Sequence, residues 1–113
     1  MNRLMEIKSR LDSIEDALNE QYPHFKANQE LTEQITNLKD YVEAEYNKIQ
    51  KQKKKGGLSE LESAFIEPAI NEVYSTSLDK IRRGSKPSES VNEHICDTSF
   101  TLNYWIRQIQ DRR

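Results

Sequence analysis

The chain holds few side chains able to do bond-making chemistry, and their spacing limits them further. Its one thiol is Cys96 and its imidazoles are His24 and His94. On a helix, residues two apart point about 200° away from each other, so His94 and Cys96 cannot hold one ion together. A catalytic thiol–imidazole pair would need His24 folded over Cys96, and nothing in the sequence enforces that. Acidic side chains are plentiful, nineteen in all. No glutamate, however, is followed by histidine three positions later, the pairing that di-metal helical bundles turn toward their cores. Gly-rich phosphate loops, G-x-S-x-G elbows and H-E-x-x-H pairs are absent, and with three glycines several of them are impossible. The expectation is a protein without enzymatic activity, cofactor or metal.

Two clusters remain as candidate binding sites. The first is cationic: Lys51, Lys53, Lys54 and Lys55, with Lys48 before them, and Arg82 and Arg83, with Lys86 after them. Cations brought together in this way hold phosphates, with a steep salt dependence as counterions are released. A plainer reading competes: lysines beside Gly56-Gly57 suit the negative end of a helix dipole. Acidic residues also flank the run, and no aromatics are interleaved to stack on bases. The second cluster is Phe100, Tyr104 and Trp105, bracketed by Arg107. Trp, Tyr and Arg dominate many protein interfaces because they bury much area at small entropic cost. Its plain reading is that Trp105 is core and Phe100 packs on a neighbouring helix.

The elements that must position these residues are helices. From Arg3 to Glu20, Leu4, Ile7, Leu11, Ile14 and Leu18 step by three and four, the narrow seam of coiled-coil packing, and Tyr22-Pro23 should end the run. A second helix from Gln29 to Lys54, capped by Asn28, carries Leu31, Ile35, Leu38, Val42 and Ile49. Glu45 interrupts its seam, either as a buried register-fixing carboxylate or where the seam frays toward solvent. Gly56-Gly57 ends it.

Ser59 and Glu62 have capping-box spacing and open a third helix, which is expected to reach Arg82-Arg83-Gly84. Its apolar stripe changes face near Pro68, so a kink or break is predicted there. The last helix, Ser88 to Gln110, has Pro87 suited to its first position and Ser90–Glu93 in capping spacing. Val91, Ile95, Thr98, Leu102, Trp105 and Ile109 form its stripe, with Ile106 beside them. At about 100° per residue, Cys96, Phe100 and Tyr104 fall nearly opposite Leu102. A helix with two apolar faces belongs either inside a bundle or across a subunit interface.

The 113 residues predict a single helical domain, all-α, arranged as an antiparallel four-helix bundle or as paired helical hairpins. A hydrophobic fraction of 35% against 32% charged residues is a lean apolar supply, which favours a homodimer that shares a seam. Seventeen basic against nineteen acidic residues, a net charge of −2, give no global field for nucleic acid or anionic membranes. One cysteine and the lack of a long apolar run predict a cytoplasmic protein with no membrane partner. The functional expectation is a non-catalytic protein–protein interaction protein, a small adaptor, inhibitor or regulator that contacts another protein through Phe100, Tyr104, Trp105 and Arg107. The alternative is a nucleic-acid-associated regulator using the lysine-rich turn with Arg82 and Arg83.

Overall fold

The computed structural model describes residues 2–111, which are all-α, with no strand among them. The elements are α1 (Asn2–Gln21), α2 (Gln29–Lys54), a π-helical turn (Glu62–Ile66) running into α3 (Glu67–Thr76), a 3₁₀ turn (Leu78–Lys80) and α4 (Glu89–Asp111). α1 packs on α2 and α4, and α3 packs on the same two, so one buried cluster fills the space between four helices.

The two seams read from spacing are the two that pack. Leu4, Ile7, Leu11, Ile14 and Leu18 of α1 are buried, as are Leu31, Ile35, Leu38, Val42 and Ile49 of α2. Across them Arg3 Nε lies 3.1 Å from Glu45 Oε2, and the Arg10 guanidinium sits 4.4 Å from the centre of the Tyr41 ring. Glu45 is only 7% exposed, so its seam does not fray. The carboxylate meets Arg3 at ionic distance but without hydrogen-bond alignment, leaving Glu45 Oε2 and Arg3 Nη1 unsatisfied. Local chemistry closes the ends of α2. Asn28 Oδ1 accepts from the Leu31 amide at 3.0 Å. At the far end the Gly56 amide donates to the Lys53 carbonyl and the Gly57 amide to the Gln52 carbonyl, a Schellman closure for which Gly56 adopts φ +69°.

The third helix starts where expected and departs from expectation in its second turn and at its end. Ser59 and Glu62 do form the reciprocal cap, amide to side chain at 3.1 Å each way. A π turn follows immediately, with the Glu67 amide reaching back to the Glu62 carbonyl. This explains the change of stripe. Leu61 and Ile66 are five positions apart, too far for one α-helical face, and the wider turn lets both pack on the core. Beyond Pro68, Ala69, Ile70 and Val73 continue that face.

The helix then stops at Thr76 and not at Arg83. Ser75 Oγ donates to the Asn71 carbonyl at 2.6 Å, Thr76 and Ser77 are weak helix formers, and a 3₁₀ turn buries Leu78 and Ile81, three residues apart. The strap from Ser77 to Ser88 is pinned along the middle of α2. Lys39 Nζ donates to the carbonyls of Asp79 and Ile81, the Gly84 amide donates to Thr36 Oγ1 at 2.9 Å, and Arg83 grips Asp40 and Glu43 at 2.6 Å each.

At the start of α4 the cap is Ser88, whose Oγ accepts from the Val91 amide at 3.1 Å. Ser90 is already inside the helix, and Pro87 lies buried before it instead of opening it. The buried stripe of α4 is Val91, Ile95, Thr98, Ser99, Leu102 and Ile106, while Trp105 and Ile109 pack partly buried at its edge. Within one chain α4 is not an interior helix: its second apolar face is at the surface.

Candidate functional site: the outward face of α4

α1 and α3 cover the inner side of α4. Its opposite side carries Glu93, Asp97, Phe100, Tyr104, Arg107 and Asp111, alternating by four and three, all exposed. Phe100 is 80% exposed and Tyr104 52%, and with Asn103 and Arg107 they line a shallow hollow of about 250 Å³. Such exposure is unusual for large apolar side chains one turn apart on a well-packed helix. Neither Asp97 nor Arg107 makes an ion pair among the described residues, so these two charges flanking the rings are open to an incoming group.

The structure divides the aromatic cluster. Phe100, Tyr104 and Arg107 share the outward face, but Trp105 turns toward α3, where its Nε1 donates to Glu72 Oε2 at 2.7 Å. Tyr104 meets the edge of Trp105, ring centres 5.5 Å apart at 83°, so the tryptophan buttresses the outward ring from behind. Asp97 was not singled out by sequence reasoning, although it occupies the same stripe as Phe100 and Tyr104; that periodicity was the signal. Glu72, the partner of Trp105, had no sequence signal.

The cationic residues do not converge. Lys51, Lys53, Lys54 and Lys55 stand at the C-terminal end of α2, where Lys53 Nζ lies 3.6 Å from Glu67 Oε1 and the others are exposed. Arg83 is held against Asp40 and Glu43, eight to fourteen residues earlier on α2 than Lys51 and Lys54, which is ~12–21 Å at 1.5 Å per residue. The two carboxylates raise the Arg83 pKa through hydrogen bonds and charge, and they offset its field. Arg82 is exposed beside it. The expected phosphate-binding set is thus split between two places, one of them neutralised.

The remaining chemical candidates are dispersed. Cys96 is solvent-exposed at its rim, yet partial burial, Glu15 and Asp97 push its pKa up, which holds the thiol protonated and weakens it as a nucleophile. His24 is exposed in the α1–α2 connection, and His94 is half-buried on α4. Among the described residues no group of three or more His, Cys, Asp or Glu is placed to hold a metal ion. No helix among them is long and apolar enough to cross a membrane. Comparison with known proteins finds no matching family model, no similar curated protein and no similar solved structure.

Proposed function

We propose that this chain is a non-catalytic protein–protein interaction protein, a small helical adaptor, inhibitor or regulator, homodimeric and cytoplasmic, whose contact surface is the outward face of α4. One observation carries the reading: Phe100 stands 80% exposed beside Tyr104 on the side of α4 opposite its buried stripe. A buried aromatic contributes ~150–250 Å², so the open parts of these two side chains amount to about 200–330 Å². At ~25 cal/mol per Å² this is about 5–8 kcal/mol of gross burial, against an association cost of ~4–15 kcal/mol. At mid-range the rings alone fall short of that cost, so flanking charges and neighbouring side chains must add to the contact. The same reading includes an antiparallel bundle, supported by early α1 residues meeting late α2 residues, as Arg3 does Glu45, and a bend where the π turn adjoins Pro68.

A second reading, a nucleic-acid-associated regulator, is favoured by Lys51, Lys54 and Lys55, which are exposed and make no ion pair among the described residues. Affinity capture of the tagged protein from its source cells, with and without nuclease, separates the two. The interaction reading expects a stoichiometric protein that survives nuclease and is lost with Phe100→Glu but kept with Lys53, Lys54 and Lys55 all changed to Glu. Recovery that depends on nucleic acid and on the lysines, and not on Phe100, would refute it.

A further inference from the structure

We propose that the occupant of the outward face of α4 is a second copy of this chain, packed antiparallel about a two-fold axis level with Leu102. The inference rests on the reading of this face as a protein contact surface, and it identifies the partner. Glu93, Asp97, Phe100, Tyr104, Arg107 and Asp111 alternate by four and three, the 3.5-residue rhythm of a helix–helix seam. This outer seam is symmetric about Leu102. Phe100 and Tyr104 lie two residues either side of it, Asp97 and Arg107 five either side, and Glu93 and Asp111 nine either side.

An antiparallel two-fold sets each residue against the one equally far on the other side. Phe100 of each copy then faces Tyr104 of the other, twice over, and Asp97 faces Arg107, twice over. A parallel pair would instead stack Asp97 on Asp97 and Arg107 on Arg107, placing like charges at both ends of the aromatic layers. Both charges lack an ion-pair partner among the described residues, so neither contact of the chain with itself is sacrificed. The outermost layer, Glu93 with Asp111, is acid against acid, at the margin where solvent screens it. The interface is self-complementary in its aromatic layers and in its inner charges, as an isologous contact requires.

Sedimentation equilibrium tests this with exposed-surface variants whose helicity is checked by circular dichroism. Wild type is expected to dimerise weakly, with a Kd of roughly 10–100 μM. Asp97→Arg or Arg107→Asp, each counted twice by the symmetry, should weaken the dimer about tenfold. Combining both substitutions should restore it to within about threefold of wild type, because the swapped charges again face opposite charges. A wild type that stays monomeric at several hundred micromolar, single variants that dimerise as well as wild type, or a double variant no better than the singles would each overturn the proposal. If the wild type is monomeric yet a nuclease-resistant protein partner is lost with Phe100→Glu, self-pairing alone is overturned. If that partner is indifferent to Phe100, the wider reading goes with it.

Discussion

Replacing Glu45 by leucine should make this protein more stable. Glu45 occupies a seam position of α2, flanked by Val42 and Ile49, and is 7% exposed. Its ion pair with Arg3 is close, at 3.1 Å, but misaligned, and both Glu45 Oε2 and Arg3 Nη1 lack hydrogen bonds. An unsatisfied buried polar group costs about 1–3 kcal/mol, and burying a leucine side chain contributes about 1.5–3 kcal/mol. Against these gains, Arg3 loses its partner, and the exposed Lys48, 3.5 Å from Glu45 Oε1, loses an ion pair of about 0.3–0.5 kcal/mol. The Arg3 side chain is 29% exposed, so water reaches part of it and the loss is about 1–3 kcal/mol. At the middle of each range, and with the buried glutamate stem already supplying part of the apolar term, the balance is about 1–2 kcal/mol of stabilisation; its sign rests on Arg3 being part-exposed, because removing one partner of a fully buried pair costs about 3–5 kcal/mol. With an unfolding entropy of ~2.1 cal/mol/K per residue, each kcal/mol moves the Tm of a chain this long by about 4 °C. Thermal melts followed at 222 nm should therefore rise by roughly 4–8 °C for Glu45→Leu. Glu45→Gln, which keeps the polar burial and removes the charge, should fall by about 1 kcal/mol. The order leucine, glutamate, glutamine is the result that counts. A leucine variant less stable than wild type would mean that the Arg3 pair is worth more than its geometry allows.

Lys39 is the opposite case, a 9%-exposed ammonium that holds the carbonyls of Asp79 and Ile81. Lys39→Met keeps the stem but frees those carbonyls, so it should cost about 1–2 kcal/mol and speed amide exchange across the strap around Gly84, while a neutral effect would show that the strap is held without Lys39, by Arg83, the Gly84–Thr36 hydrogen bond and the burial of Leu78 and Ile81. Hydrogen bonds from the Ser59 amide and hydroxyl lower the Glu62 pKa below its ordinary 4.5, so the cap's contribution is present above that value and lost as pH falls through the depressed one. The Tm difference between wild type and Glu62→Gln should accordingly be present at pH 7 and vanish on acidification; a difference unchanged down to pH 2–3 would contradict it. Trp105→Phe removes the Nε1 donor to Glu72 and should destabilise by about 1 kcal/mol, with melting monitored by circular dichroism.

What sequence made legible here is what local chemistry decides. The seams of α1 and α2 follow from Leu and Ile spacing, and the caps at Asn28 and Ser59 and the ending at Gly56 follow from side chains or backbone within a few residues of the helix ends. The end of α3 was legible only in part: Ser75, Thr76 and Ser77 weaken the helix locally, but what holds the strap beyond it is distant. Lys39, Thr36, Asp40 and Glu43 hold the strap from about forty residues upstream, and the periodicity through Ile81 looks the same whether Leu78 and Ile81 are buried by a helix or by a 3₁₀ turn. The π turn had its own signal in the sequence: the five-residue step from Leu61 to Ile66 across which the stripe changes face.

The same division governs the candidate sites. That Phe100 and Tyr104 face away from Leu102 is arithmetic on a single helix, and it holds. That Trp105 packs against α3, and Arg83 against α2, depends on Glu72, Asp40 and Glu43 arriving from other elements. These two captures bear on function in opposite directions. Fixing Arg83 removes a cation from any phosphate site and leaves the exposed lysines at one helix end, where the dipole already accounts for them. Fixing Trp105 behind Tyr104 stiffens the outward ring and reduces the rotamer entropy it would lose on contact. The packed helices thus commit one candidate surface to their own stability and rigidify the other, which makes α4 the better place to look for a partner.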